Sequence, residues 1–189
     1  VSKRATNDNI REEKQGKLFD LNLRPGRSNK YQPDADIKWR GKDYSFELKT
    51  YSEKKSGVST ARGVTENKVN EWRKVDEWIF SQYTDGNELT GEHYRLSATE
   101  MEDFFSSIVD KIYTGTKKLA GLNDWAKAKE VLELCGFEEK LLNKLDYAFV
   151  HKGCALNDPK LPLSYVQENG TKISSATDLR VLLEEDQKD

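Results

Sequence analysis

The sequence predicts an α/β fold of the α+β kind, with a mixed central sheet flanked by helices. Three observations predict it. Two stretches within residues 31–51 alternate apolar and polar residues with period two, the pattern of strands that bury one face. Ala35, Ile37 and Trp39 alternate with Asp34, Asp36 and Lys38, and Tyr44, Phe46 and Leu48 with Ser45, Glu47 and Lys49. Next, Val75–Tyr83 and His93–Ser97 read as strands around a turn at Thr84-Asp85-Gly86-Asn87. Finally, Met101, Phe104, Phe105, Ile108 and Ile112 recur at helical spacing on one side.

Taken in order, the elements are these. Residues 1–29 are polar, with a helical patch from Ile10 to Phe19 that Pro25-Gly26 ends. Residues 31–51 read as a β-hairpin. A two-residue loop at Gly41-Lys42 would pair Trp39 with Tyr44, Ile37 with Phe46 and Ala35 with Leu48, leaving apolar residues on one face and charged ones on the other. Residues 52–65 form a loop without periodicity, and a short helix covers Glu66–Arg73. Thr99 and Glu102 have capping-box spacing at the start of the long helix. Two further helices, near Asn123–Cys135 and Glu138–Phe149, are separated by Gly136, and the tail from Ser174 to Asp189 forms a short amphipathic helix. With 189 residues and no repeats, a single domain spanning 1–189 is expected.

Composition excludes several classes of function. Hydrophobic and charged residues make up 35% and 34%, and the 4 Trp, 8 Tyr and 7 Phe argue for a packed core. Neither a membrane-length apolar run nor a signal segment is visible. Cys135 and Cys154 lack metal-ligand spacing, and such sparse use fits free buried thiols in a reducing cytoplasm. A net charge of -2 rules out coating nucleic acid by charge alone. Positive charge does gather locally at Lys54, Lys55, Arg62, Lys68, Arg73 and Lys74, diluted by Glu53, Glu66 and Glu71, and on composition alone a solvated loop and helix face is the favoured reading of it.

The hairpin carries the chemistry. Phosphodiester hydrolysis needs one or two hard cations held by carboxylates beside a group that orients or activates water. Glu47 and Lys49, two apart on a strand, share a face, and Asp34 and Asp36 fall on the same face of the neighbouring strand. The backbone carbonyl of Leu48 can add a ligand. Glu-x-Lys alone says little, because it recurs at Glu12/Lys14, Glu53/Lys55, Glu66/Lys68 and Glu138/Lys140. Strand alternation and the preceding Pro33-Asp34 set Glu47/Lys49 apart; the competing reading is a solvent-facing hairpin with cross-strand ion pairs. With His93 and His151 as the only histidines, histidine-based metal or triad schemes have little to work with, and both read as surface residues of a strand or loop. No phosphate-cradling Gly-Lys-Ser loop or dinucleotide fingerprint is present.

Pro33-Asp34 followed by Glu47-Leu48-Lys49 resembles the signature of the PD-(D/E)xK nuclease superfamily. Phe46–Thr50, Gly57–Thr60, Trp78–Phe80, Tyr94–Leu96, Asn157–Pro162 and Gly170–Ile173 resemble, in that order, segments of its type II restriction endonucleases. The likeness covers about residues 7–113 and 148–173, with an inserted helical pair near 114–150 and an added tail at 174–189. It implies a restriction-endonuclease-like core and a homodimer that cuts both strands of double-stranded DNA with Mg2+. It also implies Asp34 and Glu47 as catalytic metal ligands, joined by the Leu48 carbonyl, and Lys49 as the catalytic lysine; Asp36 is the weaker candidate, because the family's Asp aligns with Asp34. Ser59 and Thr60 fall in the DNA-approaching loop, Asn157, Asp158 and Lys160 in a second DNA-contacting segment, and Glu13 where an acidic residue faces the DNA.

The departures bear on specificity. Where one similar family member reads guanine with histidines after Ser-Thr, this chain has Ala61-Arg62-Gly63, which makes Arg62 the natural guanine reader, with a phosphate contact as the alternative. Trp72 replaces a Tyr near the metal site. The N-terminal dimerisation region is shortened, so the inserted helices are a candidate replacement. A structure-specific or repair nuclease with the same chemistry, and a non-cleaving DNA-binding protein on the same fold, are the rival readings.

Overall fold

The computed structural model describes residues 3–24, 32–119, 125–134, 156 and 158–188. Contacts gather the chain into two compact units: Val1–Ser59, Lys74–Met101 and Leu161–Asp189 in one, Thr60–Arg73 and Glu102–Lys160 in the other.

The first unit is built on a mixed six-stranded sheet. Helix α1 (Lys3–Leu18) leads into β1 (Asn22–Leu23), β2 (Ala35–Trp39) and β3 (Lys42–Ser52). After β4 (Gly57–Val58) and the second unit's α2 (Glu66–Arg73) come β5 (Glu77–Tyr83), β6 (Leu89–Ser97) and the start of α3 (Ala98–Leu119). Beyond α4 (Trp125–Leu134), the chain closes with β7 (Leu161–Pro162), α5 (Leu163–Asn169), β8 (Thr171–Lys172) and α6 (Ala176–Gln187). The sheet order is β1-β2-β3-β5-β6-β8, with β3 and β5 parallel and the other pairs antiparallel.

The hairpin forms where the alternation places it, but its register differs by two. Trp39 pairs with Lys42, Ile37 with Tyr44 and Ala35 with Phe46. The turn is Arg40-Gly41, and both residues have positive φ, 49° and 80°. Such a turn matches the right-handed strand twist, and its tightness decides the register. An even slip leaves every side chain on its predicted face. Ala35, Ile37, Tyr44, Phe46 and Leu48 are buried with Ile79 of β5, with Phe19 and Leu21 after α1, and with Leu179 and Leu183 of α6. The other face of β5 and β6 is also apolar, with Trp78, Phe80 and Leu96 almost wholly buried.

Several local expectations move by a few residues. Helix α1 begins at Lys3. The capping box of α3 is Ser97 and Glu100, not Thr99 and Glu102: the Ser97 amide donates to Glu100 Oε1 at 3.1 Å and the Glu100 amide to Ser97 Oγ at 3.3 Å. The 52–65 loop contains β4, which pairs with β7. In the tail, Ser175 caps α6 by accepting from the Asp178 amide, and the Asp178 carboxyl, accepting from Ser174, is held below its ordinary pKa.

The Gly170–Ile173 segment owes its first residue to close packing. A Cβ at Gly170 would lie 2.5 Å from the Val166 carbonyl oxygen and 2.6 Å from Leu96 Cδ1. Gly170→Ala is expected to cost about 1–3 kcal/mol through this crowding, read as a lowered denaturation midpoint; an unchanged midpoint would show that α5 can shift freely.

In the second unit α2 spans the residues predicted for it, and Val69 and Trp72 are buried on one side. Trp72 lies 6.1 Å from Phe105 of α3, ring to ring, and Arg73 grips both carboxylate oxygens of Glu102 at 2.8 and 3.1 Å. Helix α4 matches the first of the two inserted helices; the second, with Cys135, His151 and Cys154, lies outside the described residues. No described helix is long and apolar enough to cross a membrane.

Candidate active site

The site forms where the β2–β3 ladder stops. Along β3 the residues bonding toward β2 are Lys42, Tyr44 and Phe46, so the next amide on that edge is Leu48. No strand partner follows Ala35. Instead the Asp34 amide donates to the Phe46 carbonyl at 3.0 Å, and the Asp34 carboxylate turns back to accept the Leu48 amide at 2.9 Å. The amide and carbonyl of one strand residue leave by the same edge, so the Leu48 carbonyl emerges beside the Asp34 carboxylate.

Glu47 and Lys49 flank Leu48 on the opposite face from the core. Their side chains form an ion pair, Lys49 Nζ to Glu47 Oε1 at 3.1 Å, and are only 12% and 17% exposed. The parallel partner β5 sets Trp78 beside Glu47 and Phe80 beside Lys49. Those two rings stack 6.2 Å apart at 16° and give the pair an apolar flank, where charge interacts more strongly than in water. Asp34 thus meets the β3 backbone at Leu48, between the positions of Glu47 and Lys49.

From behind, the buried Gln15 of α1 donates from Nε2 to the Lys49 carbonyl at 3.1 Å and to Ser81 Oγ at 2.9 Å. Ser81 Oγ also bonds His93 Nδ1 at 2.7 Å. His93 is 2% exposed, so the surface position expected for it is corrected: it faces the core, edge-on to Phe19 at 5.1 Å, and burial lowers its pKa. A neutral ring satisfied by a neighbouring hydroxyl can sit there; a charged one would lack solvation. Gln15, Ser81 and His93 carry no sequence signal for this role, because they come from three elements that meet only in the fold.

The other candidates are distributed as follows. Asp36 does not join Asp34 and Glu47; Arg24 Nε binds its carboxylate at 2.8 Å. Glu13 is exposed on α1 and Ser59 half-buried. In the second unit Thr60, Asp158 and Lys160 are brought together, while Arg62 is exposed. Asn157 lies outside the described residues.

Among the described residues no group of three or more His, Cys, Asp or Glu is placed to hold an ion. Two carboxylates and a carbonyl nonetheless suit Mg2+, which keeps several waters and commonly takes one or two protein carboxylates. No protein-family model matches the chain, and no curated protein matches it significantly.

Proposed function

We propose that the protein is a magnesium-dependent endonuclease of the type II restriction class. It hydrolyses duplex DNA at a short palindromic site and leaves 5′-phosphate and 3′-hydroxyl ends. The observation that carries this reading is the Asp34 carboxylate seated on the Leu48 amide beside the half-buried Glu47–Lys49 pair. The resemblance of Pro33-Asp34 and Glu47-Leu48-Lys49 to the PD-(D/E)xK signature supports it.

In this mechanism Asp34, Glu47 and the Leu48 carbonyl would hold Mg2+, which supplies charge for the phosphate oxygens and a more acidic bound water. Asp34 is oriented for this by the Leu48 amide, which takes one carboxylate oxygen and leaves the other available. Glu47 brings a second negative charge and holds Lys49 in place. Lys49 donates hydrogen bonds to the attacking water or to the phosphate oxygen that gains charge as the P–O3′ bond breaks. Trp78 and Phe80 exclude water from one side. A palindrome presents two equivalent strands and one site serves one strand at a time, so the working species is a homodimer.

Incubating supercoiled plasmid of known sequence with the purified chain tests this. Discrete fragments with Mg2+, and none with a chelator, support the restriction reading. A smear favours a structure-specific or repair nuclease, and binding without any cleavage favours the non-cleaving protein.

A further inference from the structure

In the second unit residues 60–64 are fastened to Leu156 and to residues 158–160. The Thr60 amide donates to Asp158 Oδ1 at 2.8 Å, and Thr60 Oγ1 donates to the Pro159 carbonyl at 2.6 Å. The Asp158 amide donates to the Ala61 carbonyl at 2.8 Å. Lys160 Nζ holds the other carboxylate oxygen, Asp158 Oδ2, at 2.7 Å. One step further along, Val64 and Leu156 exchange a pair of backbone bonds at 2.7 and 2.9 Å. Val64 and Leu156 are buried, whereas Arg62 and Gly63 are exposed.

The fastening brackets a three-residue tip, Ala61-Arg62-Gly63. Gly63 has φ of 60° with nothing within 4 Å of a would-be Cβ, so the tip turns sharply in open space. Asp158 itself has φ of 53°, a left-handed conformation that Asp tolerates better than most residues. Its carboxylate is spent inside the protein, on one backbone amide and one ammonium. A carboxylate facing DNA would be repelled by phosphate; one neutralised by Lys160 is not.

We propose that Asp158 is a specificity-determining positioning residue: it clamps the base of the 60–64 loop so that Arg62 is presented in one fixed orientation to a guanine edge. The proposal rests on the sequence-specific DNA reading above. A bidentate contact discriminates only if the guanidinium arrives in register with O6 and N7, and a loose loop spreads that geometry. Phosphate contacts tolerate such spread, so losing the clamp weakens discrimination while leaving non-specific binding intact.

Two variants separate the clamp from a direct contact. Asp158→Gly keeps the left-handed backbone and removes the carboxylate. Asp158→Asn keeps the backbone and the acceptor for Thr60 and gives up only the exposed bond from Lys160. The first readout, without DNA, is hydrogen exchange at the Thr60 amide, and the second is binding to the duplex identified by the plasmid digest and to a scrambled duplex, each at two salt concentrations. Asp158→Gly is expected to speed Thr60 exchange and to lower the preference for the cognate duplex, each about tenfold, the equivalent of one good hydrogen bond, with binding to scrambled DNA and its salt dependence unchanged. Asp158→Asn is expected to stay near the parent in both. Asp158→Gly with unaltered exchange and preference, or with equal loss on both duplexes, overturns the proposal. So does Asp158→Asn that changes which base is preferred, because that marks a direct contact; this arm stands even if Asp158→Gly fails to fold. A parent chain with no sequence preference sinks the restriction reading, and the exchange measurement then decides the clamp alone.

Discussion

Lys49→Ala and Glu47→Ala are each expected to keep DNA binding and lose cleavage by about a hundred- to a thousandfold or more, the usual consequence of deleting a group that acts on the transition state. The two substitutions act differently. Lys49→Ala removes the ammonium that pairs with Glu47 at 3.1 Å and makes the neighbourhood of Asp34 and Glu47 more negative by one charge. It should therefore weaken the chemistry while leaving attraction for Mg2+ intact or stronger. Glu47→Ala would remove one of the proposed Mg2+ ligands, so its defect should be partly relieved by raising Mg2+. Single-turnover cleavage across a Mg2+ titration, with duplex binding measured in Ca2+, distinguishes them. Near-normal cleavage by either variant at saturating Mg2+ would remove Asp34, Glu47 and Lys49 from the chemistry.

The second large effect is on stability. Arg95 on β6 is 4% exposed, and its guanidinium grips both oxygens of Glu77 on β5, Nε to Oε2 at 2.5 Å and Nη2 to Oε1 at 2.8 Å. It also bonds Asp186 near the end of α6 and approaches Glu100 at 3.5 Å. Burial opposes the charge of Arg95, but the bonds from Glu77 and Asp186 outweigh it and hold the pKa above its ordinary value. Burial dominates at Glu77 and lifts its carboxyl to about 7, although Arg95 pulls it down. Arg95→Ala strands Glu77 in the interior and is expected to cost about 3–5 kcal/mol when that carboxyl is ionised.

The pH dependence has a definite sign. A carboxyl whose folded pKa is about 7, above its ordinary 4.5, binds its proton more tightly in the folded chain. The stability this gives is full below pH 4.5 and is lost as pH rises through about 7. In Arg95→Ala the downward pull on Glu77 is gone, so the deficit relative to the parent should be small near pH 5 and grow toward pH 8. Denaturant unfolding at the two pH values checks this. The double variant Glu77→Leu/Arg95→Met should recover much of the loss at pH 8, since a well-packed apolar pair often matches a buried ion pair. A deficit independent of pH would mean that Arg95 acts through packing alone.

How far these features can be read from the sequence follows their range along the chain. The strands β2 and β3 bury one face each, and period-two alternation reports that directly, so the shared face of Glu47 and Lys49 was legible from residues 34–49 alone. The register was not, because Arg40-Gly41 lacks the Asn-Gly signature of a tight turn while adopting its backbone. Strands β4 and β7 have two residues each, too few for any period, and they are defined by each other across a hundred positions. The buried charges were hidden for the same reason. Arg95 sits within Tyr94-Arg95-Leu96, where it looks like the solvent-facing member of an alternating strand, and β8 and α6, which pair beside it and bond it, arrive much later in the chain. The site's own linchpin, Asp34 on the Leu48 amide, was legible in its residues but not in its geometry, which depends on a ladder stopping at Ala35.

The first and last parts of the chain are stitched together. Arg180 donates to the carbonyls of Phe19 and Asp20, Gln187 reaches the Tyr44 hydroxyl, and Leu179 and Leu183 complete the core that β2 and β3 begin. During ribosomal synthesis the hairpin bearing Glu47 and Lys49 therefore has Phe19, Leu21 and then Ile79 to pack against, but its apolar face stays only partly covered until Leu179 and Leu183 of α6 have been made. Contacts spanning some 160 positions close late and slowly, since loop closure must come before the reward of burial. A nascent chain that stops short of α6 therefore lacks Leu179 and Leu183, and with them part of the packing on which the β2–β3 hairpin rests.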